Sequence, residues 1–385
     1  MSTTSASLPA PAEMNAAPKP PAAPLKWRSL LLQVVALALV LAAGGWLAHN
    51  AAQNLEARNI ASGFGFLDDS AGFALSEGLV EYQAGDSYAK AFAAGLSNTV
   101  RAAVPAVLLA SLLGFAAGLA QVSRHALVRL LASVYVDVVR NVPLLVQVLM
   151  WYFALTLSLP SPDQPMQWGE HVYLSKGGLA VAIPELGTGR IVSGLVVTLA
   201  LLAAAWRFAA RRGLAVAGAL AVSAALWFAL PQGWQQPTVG IFGVSGGATL
   251  SPEWLALVGA LTVYAGAYCA EVVRAGVQAV PRAQWEAAHA LGFTRTQTLA
   301  RVIVPQALRV IVPPYTSLVM NTVKNSSLAV AIGYPDIVSV ATTSLNQNGQ
   351  AIECLSIIAG VYLMLNLVIA VVMGAVNTRV QLKER

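Results

Sequence analysis

Runs of about twenty apolar residues, nearly free of charge, recur along this chain and limit what it can fold into. A bilayer core of about 30 Å is crossed by roughly 20 helical residues. Runs on that scale lie at 29–47, 96–120, 131–157, 191–210, 214–230, 254–275, 309–333 and 354–376. They predict an all-α integral membrane protein with about eight transmembrane helices and both ends on one side. Composition agrees, since 57% of the residues are hydrophobic and only 10% are charged, against about a quarter charged in a soluble domain. A soluble globular enzyme and a disordered chain are both excluded. The first run, behind Lys19, Lys26 and Arg28, reads either as a signal peptide or as an uncleaved span. Its length favours the span, and on either reading the chain next emerges outside.

Orientation follows from Lys and Arg in the short connections. Sixteen of the 23 lie on one side: in the tail, the 121–130 turn, the Arg207/Arg211/Arg212 turn, the 274–309 loop and the C-terminus. Arg58, Lys90, Arg101, Lys176 and Arg190 lie on the other, together with nine acidic residues between Glu56 and Glu185. The first side is therefore cytoplasmic, which makes the chain a multi-pass protein with both termini in the cytoplasm. Residues 1–25, rich in Ala, Pro, Ser and Thr, read as a disordered tail. Residues 50–90, with the cluster Gly63–Leu67, either lie on the membrane surface or cap the outer face. Residues 158–190 are punctuated by Pro and Gly, and neither outer segment shows a motif with assignable chemistry.

The most patterned polar stretch is 271–314. Pro281 suits a helix start. Trp285, Ala288 and Gly292 share a helical face, and Leu291-Gly292 reads as a helix stop. Thr294 and Gln297 form a capping box that opens a second helix running into Ile303, Val304 and Pro305. This helix–glycine–helix bracket suits docking into a partner's groove: Ala287, Ala288 and Ala290 permit close approach, and Glu286 offers a charge. The alternative is an interfacial helix resting on lipid. That alternative favours basic residues along the polar face, and this helix is Ala-rich with a central Glu.

Glu286-Ala287-Ala288, three residues, Gly292, nine residues and Val302-x-Val304-Pro305 resemble the EAA loop of ABC importer permeases. Arg140-Asn141-Val142-Pro143-Leu144-Leu145-Val146-Gln147 resembles a signature of polar-amino-acid permeases. Ala270-Glu271-x-x-Arg274 and Asn321-x-x-Lys324-Asn325-Ser326-Ser327-Leu328 look like the same branch, and the long outer segment looks like its broad-specificity L-amino-acid members. The resemblance implies a type I importer core of five helices within 92–380. Ahead of it stand the tail at 1–25 and, at 26–91, the first span with the outer segment. The core carries an extra two-span insertion at about 159–250 and a cytoplasmic coupling loop at 276–308. It also implies ATPase coupling by Glu286, Ala287, Ala288 and Gly292. The partners it implies are ABC ATPase subunits, a second permease (the same or a different chain), a periplasmic amino-acid-binding protein and the lipid of a bacterial inner membrane.

The same residues have a physical reading. Lys324 lies about 22 Å along a helix from Arg309 at 1.5 Å per residue, and an ammonium at such depth is costly against lipid. Ser317, Asn321, Lys324 and Asn325 recur at helical spacing, with Ser326 beside them. This stripe must face the protein interior or a watery path, where a cation attracts a substrate carboxylate. The other reading of Lys324 is a buried structural pair with Glu271 or Asp336. Asp137, Arg140 and Asn141 can form a local network, Pro143 is expected to break the 127–157 run, and Gln147, Glu271 and Arg274 complete a structural or gating group. Ala110, Gly114 and Gly118 form a small-residue stripe for close helix packing. Pro313-Pro314 is expected to interrupt the helix and act as a joint. Cys269 and Cys354 read as small core residues.

No G-x4-G-K-[ST] occurs, so ATP and Mg are expected on a partner ATPase and no cofactor on this chain. His49, His125, His171 and His289 suggest no metal site, and basic residues follow the membrane face, so nucleic acid is not an expected partner. The expected function is a permease subunit, not an enzyme, moving L-amino acids inward. Two alternatives stay open: an ABC permease for another small solute, and a stand-alone channel or secondary transporter.

Overall fold

The computed structural model of the protein describes residues 27–57, 63–184, 233–240 and 243–381, with parts of 193–226. The tail at 1–25, the Arg207/Arg211/Arg212 turn and most of the runs at 191–210 and 214–230 lie outside the described residues. Helix α1 (Trp27–Ala57) carries the first run. Its apolar stretch, Leu31–Leu47, is shorter than a full span, and it belongs to a unit that ends at Ser62.

From Gly63 onward the chain is one body. Helix α2 (Tyr88–Gln121) is followed by α3 (Ala126–Asn141) and α4 (Leu144–Ser158), which meet at 103°. Helix α5 (Pro252–Gln278) leads to the short α6 (Arg282–Ala290). A rod then runs unbroken from Arg295 to Ile332. It comprises α7 (Arg295–Thr298), a π turn at Leu299–Ile303, α8 (Val304–Asn325) and a 3-10 turn at Ser326–Ile332. Helix α9 (Ile337–Asn348) and α10 (Ala351–Val380) complete the body. Helices α2, α5, the rod and α10 are long and apolar enough to cross a membrane, and the α3–α4 pair makes a fifth where its two arms count as one broken span. The helical class holds, with four or five candidate spans; the count of eight is not reached among the described residues.

Small residues decide the central packing. Helices α2 and α5 pack closely, with the buried alanines Ala102, Ala106, Ala256 and Ala260 in one cluster. A Cβ on Gly114 would stand 2.3 Å from Cys269 Cβ, and one on Gly118 would stand 2.6 Å from the Ala270 carbonyl. Close approach of this kind is how helices associate without a hydrophobic drive between them. Gly276 does the same for the rod, where a Cβ would meet Ile311 at 2.3 Å. That anchoring explains why α8 continues through Pro313 and Pro314. The prolines deprive the carbonyls of Arg309 and Val310 of their usual donors, but buried Ile311 and Val312 keep the turn in register. The expected interruption is absent.

At the α3–α4 break, Val142 is extended (ψ 124°), as a residue before proline tends to be. The buried Gln147 side chain donates through Nε2 to the carbonyls of Val139 and Val142, both at 2.9 Å. The first of these is the carbonyl that Pro143, lacking an N–H, leaves without its helical donor.

The segment from Gly63 to Ser87 caps one end of the bundle. Phe66 is buried against Tyr88, Phe92, Ile337, Val340 and Cys354, and the Gly63 N–H donates to Glu353 Oε1 at 2.7 Å. Glu77 ties the cap to the spans: it takes Arg101 Nη1 at 2.7 Å and the Ser251 hydroxyl. Trp254 lies over the Arg101 guanidinium at 5.9 Å, and Asn98 bridges the carbonyls of Glu77 and Pro335 at 3.0 Å each.

The insertion is flanked by strands that the sequence reading lacked: β1 (Met166–Trp168), β2 (Val172–Ser175), β3 (Gly178–Val181), β4 (Ile183–Pro184), β5 (Trp234–Gln235), β6 (Thr238–Gly240), β7 (Gly243–Ser245) and β8 (Ala248–Leu250). Four of them form an antiparallel sheet in the order β1-β2-β3-β8, and β4-β5 and β6-β7 form two-stranded pairs. Pairing Leu179 with Leu250 and Val181 with Ala248 brings together the chain on either side of 182–247.

Candidate functional site

The bracket around α6 is built by local chemistry. Pro281 occupies the N-cap and presets the first turn. At the other end Gly292 takes φ +78°; its N–H donates to the His289 carbonyl at 2.9 Å, and the Phe293 N–H donates to Ala288 at 3.1 Å. These two bonds are a Schellman stop. Thr294 and Gln297 then close a reciprocal capping box. Trp285 packs onto the cluster of Val280, Leu299 and Ile303, and Ala288 on the same face is 2% exposed. Gln306 Nε2 reaches Gln284 Oε1 at 3.2 Å, which ties α6 to the rod. Glu286, Ala287, Ala290 and Gly292 are exposed. Of the four residues expected at a partner contact, Ala288 instead seats α6 on its own chain, because it shares the Trp285 face. The π turn had no local sequence signal except Pro305, whose ring needs a widened turn before it.

The rod carries the expected polar stripe. Ser317, Asn321 and Lys324 are exposed, in line with Pro313 and Pro314, while Thr322 and Val323 behind them are buried. Asn325 is half-buried. Ser326 is wholly buried and its hydroxyl donates to the Val323 carbonyl at 2.7 Å, so it stands apart from the exposed face. Among the described residues no carboxylate comes within 4.0 Å of Lys324. Glu271 is paired with Arg274, and Asp336 caps α9 by accepting the Ser339 N–H at 2.8 Å. The structural pair considered for Lys324 is therefore not formed.

A family model described as "Binding-protein-dependent transport system inner membrane component" matches residues 110–382. The chain belongs to this family. The YhdX protein of Escherichia coli (strain K12) is 43% identical over 374 residues, covering 93% of this chain and 95% of that one. The general L-amino acid transport system permease protein AapQ of Rhizobium johnstonii is 38% identical over 375 residues, covering 94% of each. The glutamate/glutamine/aspartate/asparagine transport system permease protein BztB of Rhodobacter capsulatus is 35% identical over 405 residues, covering 94% and 95%. The protein is thus an inner-membrane transport component with several spans, and the stand-alone channel reading gives way.

In this transport component the third group of expected residues gathers where α3 meets α5. Arg140 lies over the Tyr268 ring at 5.0 Å. Glu271 holds Arg274 through two bonds, one of 3.0 Å from Nε, and Arg274 passes on to Gln278 at 3.0 Å. Arg140 acts electrostatically on Glu271, and Asp137 on Arg274. Asn141 donates instead to the Asp137 carbonyl at 2.7 Å. Pro143 and Gln147 serve the bend. Sequence reasoning missed the Glu77–Arg101 pair, whose partners are 24 residues apart with no periodic signal. It also missed the meeting of Arg124, Arg282 and Arg295 beside α6, which are distant in sequence and converge only in the fold.

Proposed function

We propose that the chain is the permease subunit of an ATP-driven importer that moves L-amino acids from the periplasm to the cytoplasm. The observation that carries this reading is the exposed Glu286 face of α6, seated by Trp285 and Ala288 and joined to an unbroken rod that bears Lys324. Two relatives named for amino-acid transport, AapQ and BztB, match nearly end to end. A separate ATPase docks on Glu286, Ala287 and Gly292, and supplies ATP and Mg. A second permease chain, the same or different, covers the Ser317–Asn321–Lys324 face, because a charged stripe at this depth is costly against lipid. Between the two chains Lys324 attracts the substrate carboxylate while Asn321 and Ser317 offer hydrogen bonds. A periplasmic binding protein delivers the amino acid at the capped end, and both termini lie in the cytoplasm. Closure of the ATPases draws α6 inward, and the rod carries that displacement to the stripe. Work passes only because the contacts differ between the two states.

Glu286→Ala tests the docking face. Loss of one contact of about 1.4 kcal/mol weakens association about tenfold. The expected result is ATPase that no longer co-purifies, or uptake that stops while the binding protein still docks. Unchanged ATP-dependent uptake would count against the docking role. Lys324→Gln tests the path separately. Uptake of labelled amino acid is expected to fall while ATPase co-purification stays intact, and normal uptake would leave the path without its cation.

A further inference from the structure

Beside α6 lies a cavity of about 800 Å³. It sits where three membrane helices end: Val122 follows α2, Gln278 closes α5 and Arg295 opens the rod. The apolar runs at 96–120 and 254–275 stop beside it, which places it at the level of lipid headgroups. Arg124, Arg282, Arg295 and His289 line it with the half-buried Trp285, and among the described residues no carboxylate does. Arg295 is held in place by its Nη2, which donates to the Val122 carbonyl at 2.9 Å. Arg124 faces it as a like charge. Guanidinium groups gathered with no carboxylate among the described lining residues favour an anion, and phosphate is the anion their forked donors fit. Basic pockets between membrane helices at headgroup level hold anionic lipid heads, and a tryptophan suits the same boundary layer.

We propose that this cavity binds the phosphate headgroup of an anionic phospholipid, and that the bound head braces α6 against the turn at Arg124. The occupied site joins α6 to the ends of α2 and α5 and sets how firmly the bracket is held. The inference does not depend on which solute is carried.

The test uses the full chain with its accompanying subunits, extracted in detergent, stripped of lipid and read by native mass spectrometry. Phosphatidylglycerol, cardiolipin, phosphatidylcholine and inorganic phosphate are added back one at a time. Retention of phosphatidylglycerol or cardiolipin over phosphatidylcholine is expected, reduced about fivefold by Arg124→Gln and again by Arg282→Gln, in line with the contribution of one basic residue near an anionic surface. Arg301→Gln, on an exposed position outside the cavity, should leave retention unchanged, and Arg124→Lys should keep most of it. Should a glutamine variant fold poorly, brominated phosphatidylglycerol supplies a second measurement: it should quench wild-type tryptophan fluorescence more than that of Trp285→Phe. Equal retention of all lipids, or retention indifferent to Arg124 and Arg282, would overturn the proposal. Full displacement of lipid by inorganic phosphate would assign the site to a free anion and overturn the lipid source. Loss of the ATPase from Arg124→Gln with lipid retention unchanged would make the cavity a protein dock instead.

Discussion

Gly114→Leu should cripple assembly of the helix bundle, while Gly360→Leu should be nearly silent. Both glycines lie within apolar membrane helices, and hydropathy alone would rank the two changes alike. The surroundings differ. A Cβ at Gly114 would stand 2.3 Å from Cys269 Cβ, 2.7 Å from its sulfur and 2.8 Å from the Gly266 carbonyl, whereas a Cβ at Gly360 meets nothing within 4 Å. Two of those three obstacles are a Cβ and a backbone oxygen, so no rotamer change relieves them; α2 and α5 must separate. The buried alanines along the same seam would lose contact together. Overpacking of a tight core costs about 1–3 kcal/mol and occasionally more, and this seam organises the rest of the bundle, so the upper end is expected. The check is the melting temperature and yield of the full chain in detergent. Equal behaviour of the two variants would mean that α2 and α5 do not pack as closely as described. Gly114→Ala should fall between them.

Local chemistry explains what could be read in the sequence. Pro281, Gly292 and the Thr294–Gln297 box act within one or two turns, so the bracket around α6 was foreseeable residue by residue. Pro143 marked the α3–α4 break for the same reason. The Ala110–Gly114–Gly118 stripe showed that α2 packs closely, but its partner, α5, lies about 150 residues away and only the fold supplies it. Where local and tertiary preferences conflict, the sequence misleads. Pro313 and Pro314 looked like a joint, yet Ile311 locked against Gly276 carries the helix through them. The strands flanking the insertion are two to four residues long, too short for alternation to register. In the candidate site, spacing placed Ser317, Asn321 and Lys324 on one face. It could not show that Ala288 turns inward, that Ser326 leaves the stripe, or that Glu271 is taken by Arg274 rather than by Lys324. Those outcomes depend on which neighbour each helix face meets.

Asp336 makes the second large prediction, and its sign is opposite to that of an ordinary paired carboxylate. The residue sits in the loop between the rod and α9, with no exposed surface. Burial pushes its carboxyl up to about 7, although the Ser339 N–H bonded to Oδ1 pulls the other way. Among the described residues its second oxygen, Oδ2, has no hydrogen-bond partner. The folded state therefore holds a proton that the unfolded chain, with an ordinary carboxyl near 4, has released. Stability from this group is fully present below the unfolded value and is lost as pH rises through about 7, at roughly 1.4 kcal/mol per pH unit in between. Between pH 5 and pH 7 the wild-type chain should lose about 2 kcal/mol, then level off. Asp86 does not mask this. Its bond to Lys90 at 2.8 Å holds its carboxyl below the usual range, so its effect appears only as pH falls further. Asp336→Asn keeps an oxygen to accept from Ser339, because asparagine caps helices as well as aspartate, and removes the titration. It should match wild type near pH 5, exceed it at pH 8 and flatten the profile between. Asp336→Ala should also flatten the profile but sit about 1 kcal/mol lower at pH 5, having lost the cap. Melting temperatures of the three chains in detergent across pH 4.5–8.5 decide the matter. A wild-type profile that rises through pH 6–7, or an asparagine variant that keeps the wild-type slope, would show that Asp336 is ionised in its buried loop and that the stability of this end of the bundle has another source.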